Sequence, residues 1–252
     1  KHSLLAKLTR RPVARRAYQI QQSVYAAGFE HGAADGISVP EPLGVVEEWN
    51  MWLQRKVAGR PATELLPGPN GHAVVERVAE ALYKLHKHGP PPTRIHTVED
   101  ELAILRERLA TLSDERPQWR HRLALVISQC ERLAVALSSS QAAAIHRDFY
   151  PDQMIIDGSI AYICDLDLYC VGDPSLDVGN FVAHLMELGL REHGDLAFFE
   201  TLSGSFIECY CSLNQSRCRA SIEAYTTFSL ARLIAIDAMM PRPGAAKGVV
   251  PK

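Results

Sequence analysis

Apolar side chains recur at helical spacing through the middle of the chain, in three stripes between residues 71 and 137. A repeat of three or four residues puts apolar side chains on one face of a helix, so each stripe predicts a helix packed against a core. Gly and Pro at residues 89–92 end the first helix. Apolar segments after residue 177 extend the pattern, so most of the chain is predicted to be helical. The stripes comprise Val74, Val78, Leu82 and Leu85; Leu102, Leu105, Leu109 and Leu112; and Leu123, Ile127, Cys130, Leu133 and Leu137.

Two short apolar runs, residues 154–156 and 160–163, have the pattern of a β-hairpin. An Asp-Gly dipeptide separates them, which is a strong turn signal. In a hairpin, the residue before the first strand and the residue after the second lie at the same end. Gln153 and Asp165 are therefore predicted to be neighbours.

The start of the chain combines a helix with extended segments. Residues 13–27 have helical composition and end at Gly28, whereas residues 43–46 and 51–57 are strand-like. The chain begins at Lys1 rather than at Met, so we expect it to be a fragment or a processed form.

Composition fits a globular protein and argues against several classes of partner. The 252 residues are 47% hydrophobic and 22% charged, ordinary values that allow one large or two modest domains. A net charge of −2 gives no electrostatic reason to expect nucleic acid or an anionic membrane as a partner. No apolar run approaches the length of a membrane span. The six cysteines have no Cys-x-x-Cys spacing, so we expect reduced thiols in a cytoplasmic protein.

Residues 146–153 read His-Arg-Asp-Phe-Tyr-Pro-Asp-Gln, which resembles the kinase catalytic loop of His-Arg-Asp, four spacers and Asn. Phosphoryl transfer needs a carboxylate that orients the attacking hydroxyl and accepts its proton, and Asp148 is the candidate. Mg²⁺ on the phosphates needs hard oxygen ligands, which Gln153 and Asp165 would supply. Asp167 is a further candidate, either as a metal ligand or as a cap of a turn. A hairpin with solvated polar flanks is the alternative reading.

Residues 142–185 resemble the aminoglycoside phosphotransferase and choline kinase-like family of small-molecule kinases. In that family the catalytic loop usually reads His-Gly-Asp, and a Gly-Asp-Pro-x-x-Asp element follows, which residues 172–177 match in full. The resemblance implies an α+β, protein-kinase-like bilobal fold with a partial β-containing N-lobe and a larger, mainly helical C-lobe. The domains would be a partial N-lobe with the hinge at residues 1–58, a C-lobe at 59–244 and a tail at 245–252.

By this resemblance, Asp148 is the catalytic base, Asp165 the principal Mg²⁺ ligand and Asp177 a buried carboxylate that braces the catalytic loop. Arg147 replaces the usual Gly, and we expect it to pair with a nearby carboxylate. Gln153 replaces the usual Asn and keeps the amide oxygen that could bind the metal.

The nucleotide site is also implied by resemblance. Residues 57–61, Val-Ala-Gly-Arg-Pro, match the family hinge, so the backbone of Lys56, Val57 and Ala58 would hold the adenine of ATP. Lys1 lies upstream of the first helix, where the family has its phosphate-binding Lys, although a solvated charge explains it as well. The helix itself contains no Asp or Glu to pair with such a lysine.

These features predict an ATP- and Mg²⁺-dependent enzyme that phosphorylates a hydroxyl of a small-molecule acceptor. A nucleotide-binding pseudokinase or regulatory module is the alternative, because the acid in the first helix is missing and Gln153 stands for Asn. A protein kinase is disfavoured because Asp177 follows Asp165 by only twelve residues, which leaves no room for an activation segment.

The sequence leaves the acceptor open among aminoglycosides, amino alcohols, sugars and nucleosides, and it does not indicate the oligomeric state. Acidic residues in the inserted helices would suit a cationic acceptor, although an exposed helix face explains them equally. These residues are Glu99, Asp100, Glu101 and Glu107.

Overall fold

The computed structural model describes residues 3–8, 14–137, 142–215 and 219–239. A sheet and one helix form the N-terminal part, and helices dominate the rest. A β-hairpin follows residues 146–153, the segment that resembles a kinase catalytic loop and is called the catalytic loop below. The predicted α+β class is confirmed. The predicted domain limits stay predictions, and the tail at 245–252 lies outside the described residues.

The N-terminal sheet has three antiparallel strands in the order β1 (Leu4–Leu8), β4 (Met51–Arg55) and β3 (Pro42–Val46), and helix α1 (Ala14–Ala26) packs on it. Ala14 and Ala17 are buried against Trp52, because their small side chains let the helix approach the sheet closely. The helix and strands predicted near the start are confirmed to within two residues at their ends. The elements are β1 (Leu4–Leu8), α1 (Ala14–Ala26), β2 (Ile37–Ser38), β3 (Pro42–Val46) and β4 (Met51–Arg55).

The predicted hairpin is present and forms the centre of a second sheet, in the order β2-β8-β7-β5. Met154 pairs with Ile163 and Asp157 with Ile160, and Gly158 makes the turn with φ 58°. A separate pair, β6 with β9, frames the catalytic loop. The remaining strands are β5 (Arg60–Pro61), β6 (Ala143–Ile145), β7 (Met154–Asp157), β8 (Ile160–Ile163) and β9 (Cys170–Gly172).

The apolar stripes form helices as predicted. All four leucines of the second stripe are buried, and helix α4 begins at a capping box between Thr97 and Asp100. Along the described ranges, no helix combines the length and apolar character that crossing a membrane requires. The helices are α2 (Ala62–Leu65), α3 (Gly71–His88), α4 (Val98–Glu115), α5 (Arg120–Ala136), α6 (Ser175–His193), α7 (Glu200–Asn214) and α8 (Arg219–Met239).

Helix α6 is the centre of the helical part, with most of its first three turns buried. Its aromatic residue Phe181 contacts both Phe149 of the catalytic loop and Phe206 of α7, with ring centroids 5.7 and 4.3 Å apart. The catalytic loop is therefore anchored in the main apolar core, which restricts its conformation.

Candidate functional site

The start of the catalytic loop is held by Asp177, in the first turn of α6. Its carboxylate accepts hydrogen bonds from the backbone N–H groups of His146 (2.7 Å) and Arg147 (2.6 Å), and His86 Nε2 lies 2.9 Å from it. Asp177 is completely buried, where a carboxylate is tolerated only with such partners. The predicted bracing role of Asp177 is confirmed.

His146 links the catalytic loop to the end of the hairpin. Its Nε2 lies 2.7 Å from the Cys164 carbonyl oxygen, which can only accept, so Nε2 carries the proton. Its Nδ1 is then free to accept from the backbone N–H of Asp148 at 3.3 Å. One buried imidazole thus ties Asp148 to the residue that precedes Asp165.

Asp148 is half-buried and faces charges of both signs. Burial raises the pKa of its carboxyl, and the negative charges of Asp165 and Asp177 act in the same direction. The positive charge of Arg232 opposes this effect. A carboxylate with a raised pKa accepts a proton more readily, which suits a general base.

Arg147 has φ 72°, in the left-handed region that favours glycine. This backbone conformation explains why a glycine would suit the position. The ion pair expected for Arg147 is not found, since no carboxylate of the described residues lies within 4.0 Å of its guanidinium nitrogens. Its Nε is buried without a hydrogen-bond partner. Glu101, whose charge favours the protonated guanidinium of Arg147, is bonded to His96 and Arg232 instead.

Gln153 and Asp165 lie at the same end of the hairpin, as predicted. The backbone N–H of Cys164 donates to the carbonyl of Gln153 at 2.8 Å, which joins the two segments immediately before Asp165. Asp165 has φ 62°, a strained conformation of the kind found at functional sites. No group of three or more His, Cys, Asp or Glu side chains that could hold a metal occurs within the described ranges.

A lysine that sequence reasoning missed reaches this corner. Lys7, on strand β1, places its Nζ 2.5 Å from Asp165 Oδ1 and 3.3 Å from Asp167 Oδ1. Its ammonium also lies 5.6 Å from the ring centroid of Trp52, its partner on β4. The signal in the sequence was a single lysine in the apolar run of residues 4–8. Lys1, the predicted phosphate-binding lysine, lies outside the described residues.

The predicted hinge, Lys56 to Ala58, runs from strand β4 toward the hairpin. The backbone N–H of Lys56 donates to the Ser3 carbonyl at 3.0 Å, which extends the pairing of β4 with β1. Gly59 follows with φ 106°, and a Cβ there would lie 2.4 Å from the Ile156 carbonyl oxygen. Only glycine allows this close approach of the hinge to the hairpin.

A cavity of about 380 Å³ opens beside Asp148. Tyr150 and His184 stack in its wall with ring centroids 4.6 Å apart. Burial lowers the pKa of His184 to about 3, so its ring is neutral at physiological pH. The other lining residues are Thr63, Pro151, Asp152, Glu187, Leu188, Arg191, Arg232, Leu233, Ile236 and Asp237.

The acids predicted to contact an acceptor do not line this cavity. Glu101 is buried in ion pairs with Arg232 and His96, and Asp100 caps helix α4. Asp148 and Asp152 of the catalytic loop line it, and helices α6 and α8 supply two further acids, Glu187 and Asp237. Sequence periodicity could not identify these residues because it does not show which helices meet at the catalytic loop.

A larger cavity, of about 1130 Å³, lies at the opposite end of the hairpin. Its lining includes several glycines and alanines, Arg77 and the hairpin turn, but no residue of the catalytic loop. The chemistry of the site therefore belongs to the smaller cavity.

Comparison with known proteins gives one family and a set of related folds. A family model for the phosphotransferase enzyme family matches residues 4–205. No curated protein matches the chain.

Several solved structures share the fold at low sequence identity. An aminoglycoside phosphotransferase, APH(4)-Ia, has a TM-score of 0.64 at 15% identity, over 94% of this chain and 79% of that chain. A choline kinase from Streptococcus pneumoniae has a TM-score of 0.62 at 13% identity, over 94% of this chain and 78% of that chain. An aminoglycoside phosphotransferase from Streptomyces rimosus has a TM-score of 0.61 at 18% identity, over 91% of this chain and 86% of that chain. A second structure of that protein contains ADP and streptomycin. These similarities show the bilobal kinase-like fold.

Proposed function

Because the chain belongs to the phosphotransferase enzyme family, we propose that it transfers the γ-phosphate of ATP to a hydroxyl of a small-molecule acceptor, with Asp148 as the base. The observation that carries this proposal is the position of Asp148. It lies in the wall of a cavity large enough for a small acceptor, on a loop clamped by Asp177 and next to the hairpin that bears Gln153 and Asp165.

Asp148 would orient the acceptor hydroxyl and take its proton as the phosphoryl group is transferred. Its backbone is fixed on both sides, through His146 Nδ1 and through the buried ring of Phe149. Such restraint favours catalysis because the carboxylate need not be ordered when the acceptor binds.

Mg²⁺ would be held by the carboxylate of Asp165 and the amide oxygen of Gln153, which form a hard-oxygen donor set. The ion would neutralise charge on the β- and γ-phosphates of ATP. Lys7 supports this assignment, since its ammonium already lies beside Asp165 and could bind the same phosphates. The backbone of Lys56, Val57 and Ala58 would hold the adenine, and Lys1 remains a candidate for a further phosphate contact.

The charges around the cavity favour an acceptor that carries an amine. Arg191 is paired with Glu187, and Arg232 with Glu101, so both cations are already neutralised. Asp152 and Asp237 then add negative charge at the rim. Proteins of the same fold include aminoglycoside phosphotransferases and a choline kinase.

One observation favours a regulatory nucleotide-binding module instead. Lys7 pairs with both Asp165 and Asp167, so an ammonium stands beside Asp165 in the place that a metal ion would take. Such a module would bind ATP without turning it over.

A screen for ADP release tests the two functions. The chain would be incubated with MgATP and with aminoglycosides, amino alcohols, sugars and nucleosides in turn. We expect at least one class to stimulate ADP release, and Asp148→Asn to reduce kcat by roughly 10²–10⁴-fold, the usual contribution of a general base. Asp157→Asn, at the exposed hairpin turn, is the matched control and should leave the rate unchanged.

Full activity in Asp148→Asn would contradict the proposed mechanism. ATP binding by calorimetry without ADP release in any class would favour the regulatory module.

A further inference from the structure

A chain of buried polar side chains supports the catalytic loop from behind. Asn180 Nδ2 donates to the Phe149 carbonyl at 2.9 Å, and Asn180 Oδ1 accepts from Arg232 Nη2 at 2.5 Å. Arg232 Nη1 in turn donates to Glu101 Oε1 at 2.7 Å. The other oxygen of Glu101 lies 2.7 Å from His96 Nε2. The chain therefore connects helices α4, α8 and α6 to the residue next to Asp148.

The direction of these hydrogen bonds is determined by Arg232. A guanidinium can only donate, so Asn180 must turn its amide oxygen toward Arg232. Its NH₂ group is then directed at the Phe149 carbonyl, which can only accept. Without Arg232, the amide of Asn180 could rotate and place its oxygen against that carbonyl. Arg232 thus selects the amide orientation that holds the loop.

Arg232 also lies in the wall of the cavity that contains Asp148. Arg232 is 8% exposed, and Glu101, at 1%, balances its charge. A purely structural cross-link between helices would not need to reach the cavity or the catalytic loop. The combination indicates a role in the reaction.

We propose that Arg232 is a positioning residue for Asp148, which acts through Asn180 and the Phe149 carbonyl. This inference rests on the proposed phosphotransferase function. Arginine suits the role because its planar fork reaches Asn180 and Glu101 together, whereas the ammonium of lysine is a single point charge.

The test compares four variants, namely Arg232→Lys, Asn180→Leu, the double variant Arg232→Met/Glu101→Gln, and that double variant combined with Asn180→Leu. The paired change avoids leaving the Glu101 carboxylate buried without its partner. Arg219→Met, an exposed position on the same helix, is the matched control. Each protein is first shown to be folded by a cooperative thermal unfolding transition. ADP release from MgATP is measured with water as the acceptor and with any acceptor that proves active.

Amide hydrogen exchange of residues 149–153 gives a second readout that does not depend on turnover. We expect the double variant to lower kcat at least tenfold, to leave KM for ATP within about twofold and to speed exchange in this segment several-fold. The kcat and the exchange rate of Arg232→Lys should lie between those of the double variant and those of the wild type. Adding Asn180→Leu to the double variant should lower kcat little further, because Arg232 acts through Asn180.

Unchanged amide exchange in residues 149–153 would overturn the proposal. It would also be overturned if the losses in kcat caused by the Arg232 and Asn180 changes multiplied in the combined variant. If the wild type released no ADP, the proposed function would fail, while the exchange measurement would still decide whether Arg232 positions the loop.

Discussion

Lys7 and Asp165 form an ion pair, with 2.5 Å between Nζ and Oδ1, that joins the N-terminal sheet to the end of the hairpin. The two residues are separated by 158 positions in the chain. If the ammonium binds phosphate as proposed, Lys7→Met should weaken ATP binding and lower kcat by roughly tenfold or more, because a charge-assisted contact is worth about 1.5–3 kcal/mol. Calorimetry and ADP release measure the two effects. Lys87→Met, exposed on α3, should change neither.

Asp177 should be important for stability as well as for loop geometry. Asp177→Asn replaces a carboxylate that accepts two backbone N–H groups while buried, so we expect the free energy of unfolding to fall by about 2–4 kcal/mol. Urea denaturation measures the loss. Asp195 also accepts a backbone N–H, from Ala197, but in an exposed turn. Asp195→Asn should therefore cost less than about 1 kcal/mol, and equal losses in both variants would contradict this account.

The raised pKa of Asp148 predicts a dependence of stability on pH. The ordinary pKa of the carboxyl is 3.8, and the folded protein binds its proton more tightly. The favourable contribution of the protonated form is therefore complete below pH 3.8 and is lost as the pH rises through the folded pKa. At pH 7 the wild type carries an unfavourable charge, so Asp148→Asn should unfold at a higher urea concentration. The difference between the two proteins should shrink as the pH approaches 3.8.

Asp114→Asn, at an exposed site, serves as the control for this pH series. A variant Asp148→Asn that was less stable than the wild type at pH 7 would contradict this account.

Gly59 offers a test of the contact between the hinge and the hairpin. Gly59→Ala adds a Cβ 2.4 Å from the Ile156 carbonyl oxygen at φ 106°, so it combines backbone strain with a collision. Gly28 has a similar φ of 93° but nothing within 4 Å of its Cβ position. We expect Gly28→Ala to cost about 1–2 kcal/mol and Gly59→Ala clearly more, with a loss of ATP affinity for Gly59→Ala alone. Thermal unfolding and calorimetry distinguish the two effects.

The hairpin and the loop clamp could be predicted because their signals are local. An Asp-Gly turn between apolar runs fixes the register, which brings Gln153 and Asp165 together. The role of Asp177 followed from a motif at fixed spacing. In both cases a short segment contains the information.

Lys7 and Arg232 could not be predicted because their partners are distant in sequence. Arg232 contacts Glu101, 131 positions earlier, and Asn180, 52 positions earlier. Each appears in the sequence only as a single cation within an apolar run, which is compatible with many arrangements. Packing of α8 against α6 and α4 decides which acceptors the guanidinium meets.

The spacing of Asp177 and Asn180 has a consequence for how the loop can vary. They are three residues apart on α6, about one helical turn, and they hold residues 146 and 149, which are also three apart. The two contacts from the helix therefore fix the distance between residues 146 and 149 of the loop. A change of residue type is tolerated, as Arg147 illustrates, but adding or removing one residue between the two contacts would release at least one of them. The length of this segment is therefore more tightly constrained than its composition.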